Sequence, residues 1–305
     1  MRTTTVVSTP PAIRALAWHP SPVLRPFVDL FGFRVMKIGS AQVYHPLPAR
    51  TDCFLEFYFE DRFRVINVAT GAIHAAPRAV LVGPHSRRRE DLLLGGNLRV
   101  FHIQLSPIGF RALFRIPASA IRDCAESADQ VLGTQAYGPW IREFEEQLAE
   151  APAANWPRVA ERFLLQRLTT GKAAPDGRLA AQIVHALQTQ PESLSIARAA
   201  ASHGRSVRHM ERLFEDHIGV SPKLFSRIAR LQSVLRMSQQ QPQPDWASLA
   251  CSAGYFDQSH MVRDFRALTG VTPVHFQSLR QRSPVHVLPQ SAPDVAFVLS
   301  PQPTC

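Results

Sequence analysis

Two short stretches in the last third of the chain carry polar side chains whose types suit hydrogen bonding to nucleic-acid bases. They are Arg208, His209, Glu211 and Arg212 in the first stretch and Gln258, Ser259, His260 and Arg263 in the second. Arg forms paired hydrogen bonds with guanine, Gln forms them with adenine, and Glu accepts from the amino group of cytosine. A solvated helix face has a similar composition, so the elements around these side chains must decide between the two interpretations.

The two stretches belong to an internal repeat. Residues 210–225 read MERLFEDHIGVSPKLF, residues 261–276 read MVRDFRALTGVTPVHF, and the two segments match at an offset of 51. Just upstream the offset is 50, which places Gly204 opposite Gly254. This repetition predicts one supersecondary unit that is present twice. A solvated face has no reason to recur with an Arg retained at the same place in both copies.

Each copy has the pattern of a short helix, a tight turn and a second helix. Ser195 and Asp245 are the expected N-caps of short helices over 196–202 and 246–253, which a Gly ends in each copy. The second helices carry a single apolar stripe, formed by Met210, Leu213, Phe214 and His217 in one copy and by Met261, Phe265 and Leu268 in the other. A Ser-Pro or Thr-Pro pair then begins a further helix. This order of elements predicts a helix-turn-helix in each copy.

Residues 178–282 resemble the DNA-binding domain of AraC/XylS-type transcription regulators. The segment AGYFDQSHMVRDFRALTGVTPVHF is similar to the signature of that family in its spacing of glycines, aromatics, Arg and Thr-Pro. The resemblance implies a seven-helix domain in which a long helix, here 222–240, joins two helix-turn-helix units. It also implies that the two recognition helices enter successive major-groove segments about 34 Å apart.

The resemblance assigns base contacts to the outward positions of these recognition helices. The expected DNA-binding residues are Arg205, Arg208, His209, Glu211, Arg212, Gln258, Ser259, His260 and Arg263. Arg205 departs from the family pattern, in which a small or apolar residue follows the Gly, and is a candidate for a phosphate contact. Glu211 either reads cytosine or pairs with a neighbouring Arg. Because the two outward sets differ, an asymmetric operator is the expected target.

Composition limits the class of protein further. A net charge of +10 favours polyanionic partners, and 305 residues suffice for two domains. No apolar run approaches the roughly 18 residues of a membrane span, and the N-terminus has no continuous apolar signal segment. The four cysteines lack CxxC spacing, which argues against a zinc site and a disulfide framework. We therefore expect a cytoplasmic protein with no membrane partner and no cofactor.

Residues 18–170 predict an α+β domain, mainly a β sheet or barrel followed by helices, whereas residues 178–283 predict an all-α domain. The expected strands are 27–35, 41–45, 53–60, 62–68, 79–82 and 99–105, and the expected helices are 108–114, 137–150 and 156–169. The first domain also resembles the β-rich N-terminal module of a poorly characterised subgroup of the same regulators. The matching stretches lie around Pro46, Cys53, Leu55, Gly83, Phe101 and 107–109.

The remaining segments are assigned by composition. Residues 1–17 are expected to be a flexible N-terminus, 171–177 a linker, and 284–305 a Pro-rich tail. The tail is either loosely ordered or docked on the protein through its VHVL and VAFVL pieces. The run HSRRRED at 85–91 is either a solvated loop or a site for an anionic effector or DNA.

The first domain also holds side chains that suit ligand binding. Tyr44, Arg50, Glu56 and Tyr58 are of the types that line a small-molecule pocket and are the expected effector-binding residues. A metal-barrel interpretation rests on four histidines, namely His45, His74, His85 and His102. No H-x-H with a downstream carboxylate accompanies them, so structural or exposed histidines are favoured and no metal is expected. The sequence contains no GxSxG, Walker A or GxGxxG motif.

These patterns together predict a sequence-specific, DNA-binding transcription regulator that is not an enzyme. Double-stranded DNA and RNA polymerase are its expected partners, and a small-molecule effector and a second copy of the chain are candidate partners of the first domain. Two alternatives stay open. The first domain is an enzyme or metal-binding domain tethered to DNA, or the chain is an architectural DNA binder without sequence preference.

Overall fold

The computed structural model describes residues 12–132, 138–169, 176–189, 196–239, 241, 243–281 and 296–297. The N-terminal part is a mainly antiparallel sheet with four α-helices, and the C-terminal part is helical. The predicted combination of an α+β domain with an all-α domain is confirmed. Among the described residues, no helix has both the length and the apolar character that crossing a membrane requires.

One sheet contains all the strands of the described residues. They are β1 (Ala12–Trp18), β2 (Val28–Pro46), β3 (Cys53–Tyr58), β4 (Arg64–Asn67), β5 (Ile73–Ala75), β6 (Ala79–Val82), β7 (Glu90–Leu105), β8 (Ala125–Ser127) and β9 (Ala296–Phe297). Their order is β8-β6-β3-β7-β2-β1-β9, and β4 pairs with both β7 and β5. Every pair is antiparallel except β1 with β9.

The two longest strands, β2 and β7, hold the sheet together. They pair from Val28 opposite Leu105 to Pro46 opposite Asp91, with register shifts on either side of Gly39. The first residues of β7 also pair with β4, and its last residues pair with β3. Because β7 has a different second neighbour at each end, it connects the two halves of the sheet.

The alternation of side chains gives this sheet two apolar faces. Phe101 and Ile103 of β7 join one core, whereas Leu98 and Val100 join the other. The first core is covered by α1 (Gly109–Phe114), α2 (Ala128–Leu132), α3 (Gly138–Glu150) and α4 (Trp156–Thr169), with short 3-10 turns at Ala118–Ile121 and Ala153–Asn155. The second core is formed by β2, β3, β4, β6 and β7 themselves. These four helices therefore cover one face of the sheet, and the strands themselves enclose the core on the other face.

Several expected boundaries in this domain were wrong. The strands expected at 27–35 and 41–45 are one strand, β2, and the strand expected at 99–105 is the end of β7. Glycines at 39 and 96 lie inside these strands with φ of 65° and 72°. Strand β1 includes residues 12–17 of the segment that was expected to be flexible, and its backbone pairs along β2.

The tail and the linker are described only in part. Residues 296–297 form β9 beside β1, which agrees with the docking alternative for this piece of the tail. The remainder of the tail from 284 onward lies outside the described residues, as do Ser195 and positions 171–175 of the expected linker.

Seven helices follow in the described C-terminal part, the number that the family resemblance implied. They are α5 (Gly177–Thr189), α6 (Ile196–Ser202), α7 (Val207–His217), α8 (Pro222–Gln239), α9 (Trp246–Ser252), α10 (Gln258–Thr269) and α11 (Pro273–Gln281). One apolar cluster contains α5, α6 and α7, and another contains α9, α10 and α11. Helix α8 contributes Phe225 to the first cluster and Ile228, Leu231 and Leu235 to the second. The predicted connector therefore sets the position of one unit relative to the other.

Candidate nucleic-acid interface

The first helix-turn-helix unit comprises α6, a turn at Gly204 and α7. Gly204 has a φ of 61°, in the left-handed region that favours glycine, as its predicted role at the end of α6 requires. Ser206 is the N-cap of α7, since its hydroxyl accepts from the backbone N of His209 at 3.1 Å. The predicted apolar stripe of α7 is buried. The opposite face of α7 is left to solvent.

The second unit repeats this geometry in α9 and α10. The Asp245 carboxylate caps α9 by accepting from the backbone N of Ala247 and of Ser248, as predicted. Asp257 caps α10 by accepting from the N of His260 at 2.6 Å. The predicted stripe of Met261, Phe265 and Leu268 is buried. Both recognition-helix candidates therefore start at a carboxylate or hydroxyl cap and present one polar face.

The expected DNA-binding residues lie on or beside these polar faces. Those that are exposed are Arg205, Arg208, Glu211, Arg212, Gln258, Ser259 and Arg263, whereas His209 and His260 are half-buried. His260 packs edge-on against Tyr255, with ring centroids 5.3 Å apart. Among the described residues Glu211 has no ion-pair partner, so its pairing with a neighbouring Arg is not observed.

One carboxylate lies close to two of the expected DNA-binding residues. An oxygen of Asp176 lies 3.1 Å from Nε2 of His209, and its other oxygen lies 3.6 Å from Nη2 of Arg205. Asp176 is the residue immediately before α5. The start of the C-terminal domain therefore orients the N-terminal end of α7.

A buried carboxylate orients α10 in a similar way. Asp264 is 7% exposed and accepts from Nε of Arg227 at 2.9 Å, and Nη2 of Arg230 lies 3.7 Å away. The guanidinium of Arg230 also lies 5.1 Å from the ring centre of Tyr255. Because both arginines belong to α8, these contacts hold the second candidate helix against the connector.

The N-terminal domain contacts the C-terminal end of α7. Arg111 of α1 donates from Nε to Asp216 at 2.9 Å. Arg122 donates from Nη1 to Glu215 at 3.0 Å and to the carbonyl of Gly219 at 3.3 Å. The side chain of Ile108 joins the apolar cluster of the first unit. These contacts place the first unit directly against the sheet domain.

The same domain contacts the C-terminal end of α10. The backbone N–H groups of Ala49 and Arg88 donate to the carbonyl of Leu268 at 3.3 and 3.0 Å. Arg88 also donates from Nη1 to the carbonyl of Thr269 at 3.3 Å. The solvated-loop interpretation of 85–91 therefore fails for Arg88, although Arg87 and Arg89 are exposed. Sequence reasoning missed these contacts because the partners lie about 100 to 220 positions apart.

Three of the four expected effector-binding residues line one cavity. Arg50, Glu56 and Tyr58 surround a space of about 40 Å³ inside the N-terminal domain. Burial raises the pKa of Tyr58, whose hydroxyl donates to Glu56, and burial lowers the pKa of Arg50. Tyr44 lies elsewhere, where it donates to Asp91 and accepts from Arg88.

The histidines of this domain have separate environments. Within the described residues no three His, Cys, Asp or Glu side chains come together as a metal site would require. Nε2 of His102 accepts from Arg34 at 3.2 Å, and Nδ1 of His85 donates to the carbonyl of Gly83 at 3.0 Å. Burial lowers the pKa of both imidazoles and so favours their neutral forms.

One comparison with known proteins matches only the C-terminal domain, and another aligns most of the chain. Residues 199–278 match a family model described as a helix-turn-helix domain. No curated protein matches the chain. ToxT from Vibrio cholerae aligns at 10% identity over 90% of this chain and 99% of its own, with a TM-score of 0.45. A ToxT structure with bound unsaturated fatty acid aligns at 9% identity over 92% and 98%, with a TM-score of 0.42.

The AraC-like transcriptional activator CuxR aligns at 13% identity over 71% of this chain and 78% of its own, with a TM-score of 0.28. The family match and the geometry coincide at 199–278, where both helix-turn-helix units lie. The resemblance inferred from the sequence is confirmed there, and the chain carries a helix-turn-helix domain of the AraC/XylS type of DNA-binding transcription regulators.

Proposed function

We propose that the protein is a sequence-specific transcription regulator that reads two successive major-groove segments with α7 and α10. The observation that carries the proposal is the pair of capped helices, each with a buried stripe and an opposite face of exposed polar side chains. Residues at the start of such a helix contact base edges when the helix lies in the major groove. The single connector α8 keeps the two helices in a constant relation.

Affinity and specificity have different sources in this proposal. Exposed Arg side chains and helix N-termini contact phosphates, and these contacts supply most of the affinity. Arg208, Glu211 and Arg212 read one half-site, and Ser259, His260 and Arg263 read the other, with Gln258 beside them. Because the two sets differ, a single subunit recognises an asymmetric operator.

The N-terminal domain regulates DNA binding in this proposal and performs no catalysis. We place an effector at the cavity lined by Arg50, Glu56 and Tyr58, where polar groups converge inside an apolar core, and the cavity of about 40 Å³ has to widen to admit one. Arg50 exchanges two backbone hydrogen bonds with His85, at 3.0 and 2.8 Å. Arg88 follows three residues later and contacts the end of α10. A ligand that moves Arg50 would therefore displace His85 and, through Arg88, the C-terminal end of α10.

Two further partners belong to the proposal. As a transcription regulator the protein acts on RNA polymerase, and the N-terminal domain is the candidate site for homodimerisation. Transcription with purified polymerase from a selected promoter, with and without the protein, tests the first. Sedimentation of the full chain with and without DNA tests the second.

The experiment that tests the central proposal is in vitro selection of DNA bound by the full chain from genomic fragments. We expect enrichment of one asymmetric site with two half-sites about one helical turn apart. Binding to this site should weaken steeply with salt, because phosphate contacts release counterions. Selection of no common sequence would instead support an architectural binder, and absence of any DNA binding would overturn the proposal.

A further inference from the structure

Phe256 is the most exposed of the large apolar side chains in the described part of the chain. Its side chain is 90% exposed, whereas the neighbouring Tyr255 is 4% exposed and belongs to the apolar cluster of the second unit. Phe256 lies directly before Asp257, the N-cap of α10. An aromatic side chain is therefore presented to solvent beside the end of α10 that carries Gln258 and Ser259.

The exposure of Phe256 is not explained by packing within the domain. An apolar residue directly before the N-cap commonly packs against the fourth residue of the helix and fixes how the chain enters it. That fourth residue is Met261, which is fully buried, whereas Phe256 remains exposed. Tyr255 fills the space instead, with its ring against His260 and under Arg230. Phe256 is thus left free of the core.

The internal repeat shows what the same position carries in the first unit. Arg205 precedes the N-cap Ser206 of α7 as Phe256 precedes Asp257, and both N-caps accept from a backbone N–H three residues on. Both residues are exposed. If the two units bind DNA in the same way, Arg205 and Phe256 each lie near the same part of their half-site. One position is cationic and suits a phosphate, but the other is aromatic and does not.

The major groove offers one apolar group that an aromatic side chain can contact, the 5-methyl group of thymine. We propose that Phe256 packs against this methyl group at one position of the half-site bound by α10, next to the bases contacted by Gln258 and Ser259. The protein thereby favours thymine at that position, although Phe256 forms no hydrogen bond. This inference rests on the proposed DNA-binding function and extends it to a residue outside the expected reading set.

Removal of one buried methyl group costs roughly 0.8 kcal/mol, which corresponds to about a fourfold change in affinity. The experiment uses the selected operator and the full chain. Each thymine of the operator is replaced in turn by deoxyuridine, which lacks only the 5-methyl group. The affinities of the native chain and of Phe256→Ala are then compared on the whole set. Ile73→Ala, which removes an exposed apolar side chain from the N-terminal domain, is the control.

For the native chain and for Ile73→Ala we expect a loss of about fourfold at one thymine of the α10 half-site. Phe256→Ala should bind the unmodified operator more weakly by a similar factor and show no further loss at that thymine. Equal sensitivity of the native chain and Phe256→Ala at every thymine would overturn the proposal. So would unchanged DNA affinity with reduced transcription, because Phe256 would then contact the polymerase or another protein.

A second measurement requires no variant. Operators that carry 5-iododeoxyuridine at single positions place iodine where the methyl group lies, and irradiation crosslinks the base to a nearby aromatic side chain. We expect a crosslink to Phe256 from the thymine found in the affinity scan, and a crosslink elsewhere at that position would refute the contact. Failure of the native chain to bind any selected operator would instead remove the proposed function itself.

Discussion

Arg111 of α1 and Asp216 of α7 join the sheet domain to the first helix-turn-helix unit through an ion pair with Nε and Oδ2 2.9 Å apart. Their side chains are 19% and 34% exposed. A second pair at the same junction, Arg122 with Glu215, is 40% and 41% exposed. Water screens the second pair more strongly, so similar hydrogen-bond lengths do not imply equal contributions to docking.

A double-mutant cycle should separate the two pairs. We expect a coupling free energy of about 0.5–1 kcal/mol between Arg111→Ala and Asp216→Ala, and a smaller value between Arg122→Ala and Glu215→Ala. Urea unfolding of the full chain and of each single and double variant gives both values. A larger coupling for the Arg122 pair would show that exposure does not decide the strength of these contacts.

The pair formed by Arg88 and Asp91 should be far more costly to break. Asp91 is 1% exposed, and Arg88 donates to both of its carboxylate oxygens, at 2.8 and 2.6 Å. Removal of the guanidinium by Arg88→Ala leaves a buried charge, which should lower the free energy of unfolding by about 3 kcal/mol. Addition of Asp91→Asn should restore part of this loss in the same unfolding assay. A double variant less stable than Arg88→Ala would contradict this explanation.

The C-terminal domain could be predicted in detail because its signals are local. The glycine at the end of α6, the Asp245 cap of α9 and the apolar stripes of α7 and α10 each lie within a few residues of the feature that they determine. The cap of α10 was not predicted, although Asp257 stands directly before the helix. Capping preferences and helical periodicity therefore suffice for most of this domain.

The N-terminal domain and its contacts depended on residues far apart in the chain. The sequence predicted separate strands at 27–35 and 41–45, but β2 continues through Gly39 because it is paired with β7 on both sides of that glycine. The bond from Arg88 to Thr269 joins residues 181 positions apart. Neither pairing leaves a periodic pattern in the sequence. The polar side chains could therefore be named from the sequence, but the residues that they contact could not.

The buried His85 should make stability depend on pH. Burial, aided by the charge of Arg50, lowers its pKa from 6.5 to about 4. Between these values the unfolded chain binds more protons, so the contribution of His85 is fully present above pH 6.5 and is lost as the pH falls toward 4. The loss is about 3 kcal/mol at most.

The measurement is urea unfolding of the native chain and of His85→Gln between pH 4 and pH 7. The native chain should lose more unfolding free energy than the variant as the pH is lowered, since Gln does not titrate. Parallel pH profiles for the two proteins would show that the His85 imidazole is not held in its neutral form. His102 is buried with a lowered pKa in both proteins, so its effect cancels in the comparison.

Arg263 should determine one base of the operator. Replacement by Ala should reduce affinity for the selected site by about 1–3 kcal/mol and relax the preference at a single position. Arg142→Ala, which removes an exposed Arg from α3, is the matched control for the change in net charge. Binding measured on operators substituted at every position distinguishes the outcomes. A uniform loss on all sequences would mean that Arg263 contacts phosphate only.

Gly219 and Gly270 occupy equivalent positions of the repeat and provide a test of domain docking. Both have a left-handed backbone, with φ of 82° and 76°, so replacement by Ala costs about 1–2 kcal/mol at either site. A Cβ at Gly219 would also lie 2.7 Å from the carbonyl oxygen of Ala118 in the N-terminal domain. A Cβ at Gly270 would have no neighbouring atom within 4 Å.

Gly219→Ala should therefore lower the free energy of unfolding of the full chain by about 1–3 kcal/mol more than Gly270→Ala does, because the added methyl group separates the two domains. Urea unfolding of the two variants measures this difference. The same displacement would draw Arg122 away from the carbonyl of Gly219, so the coupling of Arg122 with Glu215 should disappear in Gly219→Ala. Equal losses in the two glycine variants would mean that the first unit does not stay docked on the sheet domain in solution.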